Sequence, residues 1–236
     1  MPKTERPFDE ELKSLREKLM EMAVRAEEQI ALAVRALKDR EEEMACRVLE
    51  REEAINLLDI EIDGMGMRLL ALRQPLAADL RFITSALKIS SDLERIGDLA
   101  VNIAERTLDL LKAPQLKPLI DIPLMARIAQ EMVRDAIRAF VEGDDRLARE
   151  VCERVDRIDQ LNGQVFRELL TYMMQDPGTI SQAVDLILVG RHLERIADHA
   201  TNIGEDVMYM VKGKTIKHHI EGRAGGPKSG EGGAGA

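Results

Sequence analysis

The sequence predicts an all-α protein built as a tandem repeat of two three-helix bundles, six long antiparallel helices in all. Three observations predict it. Residues 92–105 (DLERIGDLAVNIAE) and 192–205 (HLERIADHATNIGE) are identical at nine of fourteen positions across an offset of 100, and an internal repeat of that kind fixes architecture before any single residue is interpreted. Aromatic residues make up only 3% of a 236-residue chain that is 45% hydrophobic, and Trp is absent. The core is therefore aliphatic, which suits helix-on-helix packing better than a sheet, where β-branched and aromatic residues are favoured. Apolar residues also recur at spacings of three and four through very long segments. Helices well beyond the mean of about 11–12 residues belong to bundles, coiled coils and helical repeats.

The first predicted helix runs from about Phe8 to Lys38, with Leu12, Leu15, Leu19, Met22, Ala26, Ile30, Ala33 and Leu37 on one face. Asp39-Arg40 begins a turn. The second covers about Glu42 to Leu72 and stops before Gln74-Pro75, because the residue preceding a proline is pushed out of the helical region. The third covers about Ala77 to Leu111. Residues 112–121, opening with the proline-rich KAPQLKP, form the linker between a first half at 8–111 and a second at 122–212. The fourth helix covers about Pro123 to Val141, proline being tolerated in a first turn, and Gly143-Asp144 turns the chain. The fifth covers about Asp145 to Met174 and ends at Asp176-Pro177-Gly178; the sixth covers about Ile180 to Val211 and ends at Gly213. Short connections make neighbouring helices antiparallel, each rod being roughly 45 Å long at 1.5 Å per residue. The remainder, 213–236, is a flexible tail; from Gly222 onward it is glycine-rich and predicted to be disordered, since such chain buries too little to offset its ordering entropy. His218-His219, just upstream of Gly222, reads as an exposed pair.

The net charge is −9 and no dense Lys/Arg cluster exists to follow a phosphate backbone, which argues against nucleic acid as a partner. No apolar run reaches the length of about 18 residues that a membrane span needs, and the N-terminus lacks a signal-peptide core. A soluble cytoplasmic protein is expected, with peripheral docking onto a membrane complex left open. Cys46 and Cys152 stand alone inside helical patterns and read as small buried hydrophobes in a reducing compartment. No nucleophile–base constellation, glycine-rich phosphate loop or Walker motif appears, so no catalytic role is expected.

The residues retained in the repeat include polar ones: Glu94/Glu194, Arg95/Arg195, Asp98/Asp198 and Asn102/Asn202. Glu94 and Asp98 lie about 40° apart on a helix, opposite Leu93, Ile96, Leu99, Ala100 and Ile103. Like charges one turn apart cost about 0.2–0.5 kcal/mol, which a solvated face tolerates, with Arg95 or Arg195 partly neutralising the pair. Recurrence in both halves favours a second reading. Asp59 and Asp63 form another i,i+4 pair on the neighbouring helix, and four carboxylates in one patch call for a cation. All-oxygen ligation suits magnesium, manganese or ferric iron, and zinc accepts carboxylates too. In the second half Asp159 matches Asp59, but Gly163 stands where Asp63 would be, with Asp156 one turn before Asp159 as a substitute. A second site is expected to be weaker or differently built, and Gly163 is expected to loosen its helix locally.

LERIGD at 93–98, its echo LERIAD at 193–198, RQPLAADLR at 73–81 and TYMMQDPGTI at 171–180 resemble the PhoU family, and the resemblance runs from about residue 8 to 213. It implies a cytoplasmic negative regulator of phosphate uptake and phosphate-starvation signalling rather than an enzyme. The regulator would act as an adaptor between the ATPase subunit of a phosphate ABC transporter and a phosphate-sensing histidine kinase, with a homodimer as the expected assembly. It further implies two similar three-helix bundles that hold metal through acidic pairs: Asp59/Asp63 and Glu94/Asp98 in the first half, and Glu194/Asp198 with Asp159 in the second. The competing reading is a carboxylate-ligated metalloenzyme or iron-storage bundle. It fits poorly, because no Glu or Asp lies three residues before any histidine and the acidic pairs face outward. A purely structural coiled-coil scaffold leaves the repeated polar positions unexplained.

Overall fold

The structure, a computed structural model, describes residues 7–213. The expectations for the glycine-rich tail and for His218-His219 lie outside the described residues. Within them the chain is all helical: α1 (Pro7–Asp39), α2 (Glu42–Arg73), α3 (Ala77–Leu111), α4 (Asp121–Glu142), α5 (Asp145–Glu153), α6 (Val155–Gln175), a 3-10 turn (Pro177–Thr179) and α7 (Ile180–Lys212). The period of three and four recovers the first three helices and the last to within a residue or two, because each is bounded by a turn signal the sequence displays. Gln74, before Pro75, caps α2 in the left-handed region, and Gly143 does the same for α4.

The single predicted helix from Asp145 to Met174 is instead two, broken at Arg154, so the described residues hold seven α-helices. The break carries neither Pro nor Gly. The Arg154 amide donates to Val151 O in a 3-10-type bond at 3.1 Å, and its guanidinium reaches Asp135 on α4 at 2.6 Å. α5 packs against α7, where a Cβ at Gly204 would stand 2.9 Å from Ala148 O and 3.0 Å from Cys152 Sγ. Tertiary packing, not local sequence, ends α5. Gly163, expected to loosen its helix, lies inside α6 without interrupting it.

The helices form two layers. α2, α3, α7 and α6 lie side by side in that order, and α1, α4 and α5 cover one side. The core is aliphatic, built from residues such as Leu19, Ile30, Ile83, Leu93, Ile103, Met132 and Leu193, and Phe140 stacks on Phe82 near the start of α3 and the end of α4. The halves dock mainly through α3 against α7, running antiparallel. Ser85 Oγ donates to Asp206 O at 3.3 Å, and Arg106 reaches Asp185 at 3.3 Å. The two contacts exchange under the 100-residue offset, so a local two-fold relates the halves. Asp92 and His199 Nδ1 meet at 2.8 Å across the same seam.

The connection after α3 is packed down. Arg40 donates to the carbonyls of Leu110, Leu111 and Ala113, Gln182 donates to Pro114 O, and Lys117 is buried in an ion pair with Glu168 on α6. The proline-rich stretch is therefore tied to both halves. Cys152 is buried as expected, whereas Cys46 is half-buried; both are free thiols.

Candidate functional site

α2 and α3 approach closely where small residues allow it: a Cβ on Gly66 would lie 2.5 Å from Leu87, and one on Gly97 would lie 3.0 Å from Ile55. Close approach brings the acidic residues on the two helices into one groove. Asp59 accepts a 2.5 Å hydrogen bond from Ser90 Oγ on α3, one turn before Glu94. Glu94 and Asp98 flank Gly97 and are half-buried, while Leu93, Ile96, Leu99, Ala100 and Ile103 are buried behind them. The pair thus lies along the wall of an inter-helix groove rather than standing free on an outer face.

Like charges dominate this groove. Burial raises the Glu94 carboxyl above its ordinary value, and Asp98, Asp59 and Glu52 push it further in the same direction, with only Arg95 opposing. Burial also raises Asp98. Among the described residues neither Glu94 nor Asp98 forms a hydrogen bond or an ion pair. Asp63 is exposed one turn beyond Asp59 and is not among the charges that act on Glu94. The structure therefore brings together Asp59, Glu94 and Asp98, adds Glu52 and Ser90, and leaves Asp63 at the rim.

The second groove, between α6 and α7, begins from the same template. Gly190 packs against Asn162 and Val165. Asp159 is raised by burial and then by Glu194, Asp198 and Asp156; Asp198 is raised by burial and then by Glu194. Asp156 thus joins the cluster from the position one turn before Asp159. Glu194, however, is already engaged: it forms an ion pair with Arg191 and accepts from Asn162 Nδ2 at 2.9 Å. Arg191 also lowers both Asp159 and Asp198. The positions matching Arg191 and Asn162 in the first half are Ser91 and Ile62, which carry no charge.

Among the described residues no three His, Cys, Asp or Glu side chains close on a point where a metal ion would sit. The donor chemistry of the first groove nevertheless fits a hard cation: oxygen donors alone, on two adjacent helices, with a mutual repulsion that only Arg95 opposes. The second groove fits less well, because Arg191 supplies the compensating charge and Gly163 supplies no ligand.

A third polar feature, absent from the sequence reading, lies between α3 and α7. It is a groove of about 300 Å³ lined by Lys88, Asp92, Arg95, Asn202 and Asp206 among others, with Lys88 paired to Asp206 at 2.9 Å.

Comparison with known proteins places this geometry. The PhoU domain model matches residues 19–107 and again 122–207. The phosphate-specific transport system accessory protein PhoU homolog of Aquifex aeolicus is 43% identical over 212 residues, covering 89% of this chain and 96% of the relative. That of Zymomonas mobilis is 39% identical and covers 93% of each. The crystal structure of PhoU from Pseudomonas aeruginosa superposes with a TM-score of 0.85 at 39% identity, covering 88% of this chain and 100% of that one. The phosphate transport system regulatory protein PhoU from Streptococcus pneumoniae gives a TM-score of 0.84 at 31% identity, covering 89% and 100%.

Proposed function

The chain belongs to the PhoU family, a family of accessory and not catalytic proteins, and from that premise we propose that it is a cytoplasmic negative regulator of phosphate uptake and phosphate-starvation signalling. The observation that carries the reading is the extent of the likeness: relatives named as accessory proteins of phosphate-specific transport match nearly end to end, both repeats included. The regulator acts as an adaptor between the transporter's ATPase subunit and the phosphate-sensing histidine kinase. Long exposed helical faces suit such docking, and no helix among the described residues is long and apolar enough to cross a membrane. With a net charge of −9, association with basic surfaces on the partners is expected to weaken as salt rises.

Asp59, Glu94 and Asp98, with Asp63 at the rim, would hold a cation such as iron, zinc, manganese or magnesium between α2 and α3. Its contribution is charge neutralisation, which would tie the two helices together. Asp159, Glu194 and Asp198 would form a second and weaker site.

Deletion of the gene in its host tests the reading. Phosphate-starvation genes should be expressed even in abundant phosphate, and the Glu94→Ala/Asp98→Ala variant, supplied in trans, should fail to restore repression if the first groove is part of the signalling surface. Normal phosphate-repressible expression in the deletion strain, with no paralogue present, would contradict the regulatory role.

A further inference from the structure

α6 and α7 form an antiparallel hairpin whose register is fixed at Asn162. A Cβ on Gly190 would stand 2.8 Å from Asn162 Oδ1, and Asn162 Nδ2 donates to Glu194 at 2.9 Å. Stepping forward by four along α6 and back by four along α7 from that crossing sets Phe166 beside Leu188, Leu170 beside Val184 and Met174 beside Ile180. All six are large, apolar and exposed, from 36% at Leu188 to 85% at Met174. Phe166, Leu170 and Met174 share about 80° of arc on α6 with Asp159, and Ile180, Val184 and Leu188 share about 80° on α7 with Asp198. Two apolar rows, each about 12 Å long, therefore run side by side from the hairpin tip toward the second acidic groove. Single apolar residues scattered on a surface need no explanation, whereas a contiguous strip of large ones marks a contact surface.

The first half shows that the fold does not call for this strip. The matching positions there are Gly66, Leu70 and Gln74 on α2 and Leu80, Thr84 and Lys88 on α3, and only Leu80 among them is a large exposed hydrophobe. The same hairpin stands with a glycine, a glutamine, a threonine and a lysine in these places.

Charge and shape say what the strip fits. Its inner end is the cluster of Asp156, Asp159, Glu194 and Asp198, where Arg191 and Arg195 are the opposing guanidiniums, so that end stays acidic. A membrane surface asks for basic residues around the apolar ones; a strip that ends in carboxylates, on a chain of net charge −9, does not fit it. Two antiparallel helices with apolar rows leave a groove between them that takes the ridge of a third helix.

We propose that the α6–α7 strip is the docking groove for an amphipathic helix of a protein partner. That helix carries apolar residues every three or four positions for about three turns, then Lys or Arg about two turns further on, over Asp159 and Asp198. The partner's identity rests on the regulatory reading, which makes it the ATPase subunit of the phosphate transporter; the groove and the chemistry of the helix rest on the strip alone. The partner's basic side chain would meet the charge deficit of the second groove.

Calorimetric titration of the full chain with the purified ATPase subunit tests the assignment. Met174→Gln/Val184→Thr/Leu188→Lys gives the strip the residues that the first half carries at the same positions, so the variant should keep its fold, as circular dichroism would show. It should bind about tenfold or more weakly, while Val24→Ser, which trims a comparably exposed apolar residue on α1, should bind as wild type does. Asp159→Asn/Asp198→Asn should weaken binding about threefold or more and flatten its dependence on salt. Hydrogen exchange should show one helical segment of the ATPase subunit protected in the complex, with the apolar and basic spacing given above. Absence of binding by wild type would overturn the regulatory reading and the docking together. Full-strength binding by the strip variant, an equal loss in Val24→Ser, no change in the Asp159/Asp198 variant or protection of a segment without that pattern would overturn the docking alone. Sedimentation of wild type and strip variant, alone and with phosphatidylglycerol vesicles, covers the other occupants: self-association or vesicle binding that the strip variant loses would overturn the choice of a partner helix.

Discussion

Glu94 and Glu194 occupy the same LER context one repeat apart, each on a long helix beside an antiparallel neighbour, yet their charges are handled differently. Glu194 is met by Arg191 and Asn162. Glu94 faces Asp98, Asp59 and Glu52, with only Arg95 nearby to oppose them. Two substitutions make the difference, Ser91 to Arg191 and Ile62 to Asn162 across the offset, and a third, Asp63 to Gly163, removes a carboxylate from the second half. A repeated motif thus marks where a site can form, while the residues around it decide whether the charge is balanced from inside the protein or from outside.

A large expected effect follows from undoing that internal balance. Arg191→Gln leaves Glu194, Asp198 and Asp159 without their main counter-charge, so cation affinity of the second groove should rise about tenfold or more, as removal of a competing charge worth about 1.4 kcal/mol implies. Manganese titration of that variant beside wild type, followed by calorimetry, is the check. An unchanged affinity would show that Arg191 is not what distinguishes the halves.

A smaller effect separates the two cores. Gln29 in the first half is buried with both amide atoms unpartnered, behind Gly97, whereas Ala129 fills the matching place in the second. An unsatisfied buried amide costs about 1–3 kcal/mol. Gln29→Leu should therefore raise the melting temperature by a few degrees, at roughly 2–4 °C per kcal/mol for a chain of this size. A lower melting temperature would mean that the amide is satisfied in solution.

The smallest effect is the pH dependence of the first groove. Because the folded Glu94 value is raised, the ionised carboxylate opposes folding at neutral pH. Glu94→Gln should raise the metal-free melting temperature by about 1 °C at pH 7, since relieving a like-charge pair is worth about 0.2–0.5 kcal/mol. The sign is fixed: the advantage is complete above the raised value, shrinks as pH falls through it, and vanishes below the 4.5 of an ordinary glutamate. Thermal melts of both proteins across that range would expose the opposite trend if Glu94 were in fact stabilised by Arg95.

Much of this was legible beforehand, and the exceptions share physical causes. Helix ends at Pro75, Gly143 and Gly213 were readable because proline and glycine act locally. The end of α5 at Arg154 was not, because Asp135 and Gly204, which hold it there, are distant in sequence. Asp59, Glu94 and Asp98 could be grouped from periodicity and repetition. Arg191 and Asn162 were missed because comparing repeats highlights what was kept, and these two matter for having changed. Lys117 read only as part of the proline-rich linker; its burial against Glu168 and the Asp92–His199 contact depend on how the halves dock, which no local pattern encodes.

The central claim is that the two grooves, alike in motif, differ in their need for an external cation. Calorimetric titration of chelator-treated protein with manganese, comparing Glu94→Ala/Asp98→Ala with Glu194→Ala/Asp198→Ala, tests it most directly. The first variant should lose the tighter binding event, with affinity falling about 100-fold, near 2.7 kcal/mol, while the second should retain it. Equal losses in the two variants, or tight binding that survives removal of Glu94 and Asp98, would contradict the account.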